Sequence, residues 1–366
     1  MKLLKKILGK KEQAIVSPDD FWNWFLENEK IFFDVVNNQD DIEANFLNKL
    51  SPKLDELREG YWFLTGMFDD DTAELILTAD GVIKNIVFIE EIVAAAPQID
   101  GWKFTALKPS SDIENVNIHM ADVVFSKDNL SFYSNEDPDY PDEIDISIIH
   151  DDYSEENHEA ITTGCFIFID NYLGELDFAT TIDNVDFVEK DQITKELVPI
   201  EKLKNFLIWR EKEFIEKYSG IRYNTEDDGY ASLEATLENG MPLLAIVNST
   251  LLEWDKKASH PWVLNIQIKY EGYESGMPDE ETYALMNEME DKIMALLPDS
   301  EGCLNIARET ANHEREIYFA CKDFRMPAKV LDQMQSEYVG RLNIEFDIYK
   351  DKYWRSFNKY DPPPQY

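Results

Sequence analysis

Two short acidic segments in the middle of the chain contain the side chains best suited to bind a charged partner. They cover residues 135–143 and 150–158. Clustered carboxylates can bind either divalent cations or the basic surface of another protein. We predict the second role, with a basic protein as the partner. The acids predicted to bind it are Glu136, Asp137, Asp139, Asp142, Glu143, Asp151, Asp152, Glu155 and Glu156.

The charge pattern around these acids favours a basic partner. No lysine or arginine occurs between Lys127 and Lys190, whereas residues 128–189 contain 18 aspartates and glutamates. The whole chain has 35 basic and 74 acidic residues, so its formal charge is 35 − 74 = −39. Such a surface repels nucleic acids and anionic lipids and attracts cations and basic proteins. We therefore expect no nucleic-acid partner, although solubility alone could also explain the excess of acids.

Metal sites and catalytic motifs are not indicated by residue spacing. Asp69, Asp70 and Asp71 lack the pattern of a calcium loop, and turn acids are the simpler interpretation. His150 and His158 are too far apart for a helical metal pair. The sequence contains neither a nucleophile elbow nor a phosphate-binding glycine loop. We predict no catalytic, metal or cofactor-binding residues and no cofactor, and leave open a divalent-cation-dependent hydrolase whose carboxylates are gathered only by the fold.

The three cysteines indicate a reducing compartment. Cys165, Cys303 and Cys321 are widely spaced, form no paired motif and lie in apolar runs. Buried free thiols are typical of the cytoplasm, which is the predicted location. Cys303 and Cys321 are further predicted to face each other on paired strands.

The first sixteen residues form a basic tail, with five lysines among the first eleven positions. This tail lacks the apolar run and cleavage site of a signal peptide. A short interfacial helix, a tail folded against acidic surface and a disordered tail all remain open. No apolar run of about 18 residues occurs in the chain, so we expect no stable membrane insertion.

The length of 366 residues suggests about two domains. We place an N-terminal α+β domain at 17–195, a connecting helix at 196–230 and a C-terminal domain at 231–366. A helix is predicted to begin at Pro18 after the capping residue Ser17. The runs at 164–170 and 176–180 are predicted to be strands, because they are rich in apolar, aromatic and β-branched residues.

The second half has a clearer pattern. From residue 262 onward the elements are predicted in the order β-α-β-β-α-β, preceded by one further strand at 242–249. This is the order of a ferredoxin-like, split βαβ domain. The predicted fold class is therefore α+β, with antiparallel sheets and helices in both domains and a ferredoxin-like second domain.

Four segments of the second half resemble an uncharacterised bacterial family, domain of unknown function six hundred and ninety-five. The resemblance covers roughly 240–362 and implies a fold and a bacterial cytosolic setting, but no catalytic residues. Some proteins with this domain also carry a segment similar to regulator B of ribonuclease E activity, which is itself small and acidic. The segments that carry the resemblance are 260–268, 276–283, 315–323 and 351–357.

These observations favour a non-enzymatic binding or regulatory protein, of the inhibitor or immunity kind. Its acidic face would bind a basic protein, such as a nucleic-acid-processing enzyme or a basic toxin domain. The cation-dependent hydrolase is the alternative, and a scaffold that acts by oligomerisation is a third hypothesis. The identity of the partner and the oligomeric state are left open.

Overall fold

A computed structural model describes residues 14–120, 122–190 and 193–361. The predicted basic tail therefore lies mostly outside the described residues. The chain forms two compact units. The first contains the described residues up to Ser110 together with Gly174–Leu176, and the second contains Ser111–Leu173 and the described residues from Asp177 onward. The connecting helix predicted at 196–230 lies inside the second unit. A domain boundary at this helix therefore stays a prediction.

The first unit combines helices with a three-stranded sheet in the order β1-β2-β3. β1 and β2 pair antiparallel, whereas β2 and β3 are parallel. Its elements are α1 (Pro18–Asn38), α2 (Asn48–Leu57), β1 (Trp62–Met67), β2 (Ala73–Thr78), α3 (Ile83–Ala94) and β3 (Trp102–Ala106).

Helix α1 begins where the sequence predicts. Ser17 caps it by accepting a hydrogen bond from the backbone N–H of Asp20, and Pro18 occupies the first turn. The aromatic rings of α1 supply the core of this unit. Phe25 packs edge-on against Trp102, with ring centroids 5.0 Å apart, and Phe32 contacts Phe46 at 4.6 Å.

The second unit begins with a small two-stranded sheet, β4-β5, and a four-stranded sheet in the order β8-β7-β6-β9. β7 and β8 are parallel, and the other neighbours in the larger sheet are antiparallel. The elements of this region are β4 (Ile118–Met120), β5 (Val123–Phe125), β6 (Leu130–Asn135), β7 (Asp145–His150), α4 (His158–Leu173), α5 (Glu175–Thr181), β8 (Asn184–Phe187), β9 (Val198–Pro199) and α6 (Leu203–Tyr218).

The predicted strands at 164–170 and 176–180 are wrong, because both segments are helical and form parts of α4 and α5. The buried side chains of α4 recur at helical spacing and pack into the core beside β6 and β7. Gly164 allows close packing of α4, since a Cβ atom there would lie 2.1 Å from the Phe125 ring.

The remainder of the second unit is one six-stranded antiparallel sheet with helices. Its elements are β10 (Tyr230–Thr236), β11 (Pro242–Asn248), α7 (Ser249–Leu252), β12 (Trp262–Lys269), α8 (Glu280–Leu296), β13 (Cys303–Ala311), β14 (Glu314–Cys321), α9 (Arg325–Glu337) and β15 (Asn343–Lys350). From β12 onward the predicted order β-α-β-β-α-β is confirmed. Two strands precede it rather than the predicted one, because β10 pairs with β11.

The strand order in this sheet is β10-β11-β13-β14-β12-β15. Cys303 and Cys321 are direct partners on β13 and β14, as predicted, and both thiols are buried and free. One sheet face supports a core that includes Val247, Trp354 and Phe357. The outer strands β10 and β11 leave part of the opposite face uncovered, where Leu244 and Ile246 are exposed.

The described helices include none with the length and apolar character that crossing a membrane requires. The helices and mostly antiparallel sheets of the two units together form an α+β fold.

Candidate functional site

The nine acids predicted to bind a partner fall into two groups in the fold. Five lie in the 136–143 segment that joins β6 to β7, and four lie at 151–156, directly after β7. The groups are therefore at opposite ends of β7, a strand of 6 residues. At about 3.3 Å per residue the ends of this strand are separated by roughly 17 Å. The fold does not gather these acids into one cluster.

Asp142 is held inside the second unit. Its carboxylate accepts hydrogen bonds from Lys217 Nζ at 2.8 and 2.9 Å, from Tyr218 Oη at 2.7 Å and from Tyr353 Oη at 2.8 Å. Burial acts to raise the pKa of Asp142, but these hydrogen bonds outweigh it and the pKa is lowered. Asp142 is thus a charged internal anchor whose hydrogen-bonding capacity is already used.

Glu143 is also an internal residue, with only 7% of its surface exposed. Arg355 Nη2 donates to Glu143 Oε1 at 2.7 Å. Burial raises the pKa of Glu143, and Arg355 opposes this increase only in part. Arg210 binds the backbone carbonyls of Pro141 and Glu143, which fixes the segment further. Asp142 and Glu143 therefore connect this segment to its own fold.

The second acidic group is more open to solvent. Asp151 pairs with Lys190 at 2.6 Å, and Asp152 donates its backbone N–H to His150 Nδ1 at 3.1 Å. The other ring nitrogen of His150 donates to the Val124 carbonyl at 2.9 Å, because Nδ1 is the acceptor. Both nitrogens of His150 are thus engaged. Six of the nine acids remain exposed and form no ion pair with any described residue, namely Glu136, Asp137, Asp139, Asp152, Glu155 and Glu156.

A buried charge cluster that sequence reasoning missed adjoins Asp142. Asp183 accepts from Lys350 Nζ at 2.8 Å and from Lys352 Nζ at 2.6 Å, and Lys352 also donates to the Asp142 carbonyl at 2.7 Å. Burial lowers the pKa of Lys350 to about 8, and the neighbouring Lys352 contributes. Burial would raise the pKa of Asp183, but the two lysines outweigh it and the pKa is lowered. No local sequence pattern signals this cluster, because its members come from distant segments.

Glu309 and Glu316 form a second internal carboxyl pair, directly opposite each other on β13 and β14. Burial raises the pKa of Glu309, and its hydrogen bond with Glu316 raises it further. Lys359 Nζ and Tyr360 Oη donate to Glu309 at 2.9 and 2.8 Å. The pair thus anchors the C-terminal segment to the sheet. Within the ranges that the structure describes, no group of three or more His, Cys, Asp or Glu side chains is placed to hold a metal ion.

An open cavity of about 450 Å³ lies between α8 and the outer strands of the six-stranded sheet. Its apolar and aromatic walls come from Tyr230 on β10, Ile246 on β11, and Tyr283 and Met294 on α8. Strand pairing places Ile246 opposite Arg308, so both side chains project from the same sheet face. These exposed apolar groups surround a polar floor.

Arg308 and Glu290 of α8 belong to that floor, and the buried Arg315 lies beside them. Arg308 Nη1 donates to Glu290 Oε2 at 2.8 Å, and Arg315 Nη1 lies 3.5 Å from the same oxygen. Arg315 is 1% exposed and donates to Asn287 Oδ1 at 2.8 Å and to Thr310 Oγ1 at 3.2 Å. Burial lowers the pKa of Arg315, while Glu290 opposes the decrease. The Glu290 carboxylate is therefore engaged by residues of its own fold.

Two polar groups at the cavity have no such partner among the described residues. Asp291 is exposed and makes no ion pair there, and the Asn305 Nδ2 atom is buried without a hydrogen-bond acceptor. Both residues line the cavity. Tyr283 of α8 is 46% exposed. The spacing of Tyr283, Asn287, Glu290 and Asp291 places them on one helix face, a signal that could have indicated the site.

The sheets, their helices and this cavity define an α+β protein with a candidate ligand-binding groove. Residues 235–360 match the sequence model described as "Family of unknown function (DUF695)". This match confirms the predicted resemblance over roughly 240–362. The chain matches no curated protein and no solved structure.

Proposed function

We propose that this protein is a non-enzymatic binding protein that captures a basic protein partner. The observation that carries the proposal is the formal charge of −39, together with exposed acids that form no ion pair with any residue that the structure describes. Long-range attraction between such a surface and a basic protein raises the rate of encounter and disfavours acidic competitors.

Contacts within the fold narrow the proposal to six of the nine predicted acids. Asp142 and Glu143 are bound internally, and Asp151 pairs with Lys190. The proposal therefore depends on the six acids that remain exposed on the two segments flanking β7. Because these segments lie apart, each contributes to attraction as a separate group.

A binding experiment with paired charge variants tests the proposal. Partners captured at low salt are identified, purified and titrated against the protein at low and high salt. One variant combines Glu136→Gln, Asp137→Asn and Asp139→Asn, and a second combines Asp152→Asn, Glu155→Gln and Glu156→Gln. We expect binding to be salt-sensitive. At least one of the two combined variants should weaken it.

The control variant removes the same charge from the first unit through Glu43→Gln, Asp55→Asn and Glu59→Gln, all at exposed positions. If no basic protein binds in a salt-dependent way, the proposal fails. If all three variants weaken binding equally, net charge acts without a defined surface.

Three finer expectations belong to the same proposal. The free, buried thiols support a cytoplasmic location. The strand order from β12 to β15 supports a ferredoxin-like description of the second domain. The likeness to regulator B of ribonuclease E activity stays an expectation from the family resemblance and from the acidic α+β character that the two proteins share. The alternative, a divalent-cation-dependent hydrolase, requires stoichiometric binding of a metal ion. Calorimetric titration with Mg²⁺, Mn²⁺ and Ca²⁺ distinguishes it from a non-enzymatic binding protein.

A further inference from the structure

We propose that the cavity between α8 and the outer strands binds a lysine or arginine side chain of the basic partner. The inference rests on the proposed function and specifies where a basic side chain of the partner binds. It adds a specific contact, in the region that matches the family of unknown function, to the long-range attraction by the two acidic segments beside β7.

The charge available at the cavity mouth favours a cation. Arg308 and Arg315 already engage Glu290 at 2.8 and 3.5 Å, whereas the exposed Asp291 has no ion-pair partner among the described residues. An ammonium or guanidinium group would supply the missing partner. The protein as a whole adds to this preference, because its charge of −39 repels anionic ligands and a second copy of the same chain.

Two tyrosine rings strengthen the preference for an organic cation. Tyr230 is 53% exposed and Tyr283 is 46% exposed, and both line the cavity. Cations are attracted to the faces of aromatic rings by the ring quadrupole. Arg315 of the protein itself already lies 5.1 Å from the centroid of the Tyr283 ring. Rings and a carboxylate together are suited to a basic side chain.

The apolar walls fit the stem of such a side chain. Ile246 and Met294 are each 41% exposed and line the same cavity. Lysine and arginine carry three or four methylene groups that pack along apolar surface while the charged end reaches polar groups. A hydrated metal ion has no such stem and would leave these walls in contact with water.

Asn305 is a second polar group at the cavity, and it favours a polypeptide ligand over a simple cation. Its Nδ2 atom is buried at the cavity without an acceptor among the described residues. A buried donor without an acceptor costs free energy, so a ligand that carries a hydrogen-bond acceptor is favoured. The backbone carbonyl beside a bound lysine or arginine provides that acceptor, which a simple cation lacks.

Calorimetric titration with four short blocked peptides tests the inference at low ionic strength. The peptides have one central residue, lysine, arginine, norleucine or glutamate, flanked by glycines. We expect the lysine and arginine peptides to bind and the other two to bind much more weakly. Norleucine keeps the apolar stem without the charge, so equal binding of that peptide would overturn the inference.

Variants of the protein locate the bound peptide. Asp291→Asn should weaken lysine-peptide binding by about fivefold, as expected for a partly exposed ion pair. Tyr283→Ala should weaken it independently, and circular dichroism confirms that each variant is folded. The control is Glu281→Gln, which removes an exposed charge from α8 at a residue outside the cavity lining.

The outcomes separate this inference from the proposed function. If Asp291→Asn and Glu281→Gln have equal effects on the peptide and on the captured protein, the cavity is not the binding site, although a basic partner can still bind elsewhere. If the captured partner binds but no basic peptide does, the inference alone fails. If neither binds, both fail.

Discussion

Asp142 and Tyr353 bind each other through two hydrogen bonds although 211 positions separate them in the sequence. The Tyr353 hydroxyl donates to Asp142 Oδ2 at 2.8 Å and accepts from the Asp142 backbone N–H at 2.9 Å. One phenol thus fixes both the main chain and the side chain of an acid in the β6–β7 segment. This contact joins that segment to the residues that follow β15.

Removal of this hydroxyl should destabilise the protein. Tyr353→Phe leaves the Asp142 N–H without its acceptor and removes one of the donors to Asp142 Oδ2, and we expect a loss of about 1–3 kcal/mol in the free energy of unfolding. Urea denaturation followed by circular dichroism measures it. Tyr140→Phe is the control, because its ring lies 5.0 Å from that of Tyr353 and keeps this contact. Equal effects of the two variants would contradict the assignment.

Asp183→Asn should be more damaging, because it leaves Lys350 and Lys352 buried beside each other without a carboxylate. Breaking a buried ion pair from one side typically costs about 3–5 kcal/mol. Asp183 raises the pKa of Lys350, so Lys350 of the variant should lose its proton below the wild-type value of about 8, and part of the loss should be recovered as the pH rises toward 8. Chemical denaturation across this pH range measures both effects.

The matched control for that variant is Asp186→Asn, at an exposed position on the neighbouring strand β8. It should change stability by no more than about 0.5 kcal/mol. A neutral effect of Asp183→Asn would show that the two lysines do not need their counterion.

Gly164→Ala should destabilise the second unit through overpacking. The added methyl group would lie 2.1 Å from Cζ of Phe125, a fully buried ring, so helix or ring must move. We expect a loss of about 1–3 kcal/mol, measured by thermal denaturation. Gly220→Ala is the control, since a Cβ there meets no atom within 4 Å. A small effect at Gly164 would mean that α4 is free to shift.

His260 should make the protein less stable in mild acid. Burial lowers its pKa from 6.5 to about 3, with contributions from Lys322 and Arg222. Below pH 6.5 the unfolded chain therefore binds a proton that the folded protein does not. The free energy of unfolding should fall by about 1.4 kcal/mol per pH unit on this account.

The measurement compares wild type with His260→Asn between pH 6.5 and about 4.5, above the range in which most carboxylates titrate. The variant lacks the ionisable ring, so its stability should depend less steeply on pH. Parallel curves for the two proteins would show that His260 is protonated in the folded state.

The fold was predictable where its determinants are local. Ser17 and Pro18 mark the start of α1, and alternating residues mark the strands of the second half. The strand predicted at 164–170 is wrong, because the aromatic and β-branched run from Cys165 to Ile169 has high strand propensity although it lies in helix α4. Ile161, Cys165, Phe168, Ile169 and Tyr172 nevertheless fall at helical spacing, and this periodicity decides the packing.

The fate of the acidic segments was not predictable from the sequence. By residue type alone, Asp142 and Glu143 cannot be distinguished from the acids beside them. Their partners come from distant parts of the chain, namely Lys217, Tyr353 and Arg355. Without the strand order, no spacing rule distinguishes an acid that anchors the fold from one that meets solvent. The cavity was not predictable from the sequence either, because its walls come from α8 and from strands on either side of this helix in the sequence.

The contacts of Lys350 and Lys352 also determine how the protein can be dissected. Asp183, their counterion, precedes the segment of 235–360 that matches the family. A recombinant fragment that contains only that segment would keep both lysines but lose the carboxylate that pairs with them. Such a fragment should be prone to misfolding and aggregation. A fragment for expression should begin no later than Ser111, where the second unit starts.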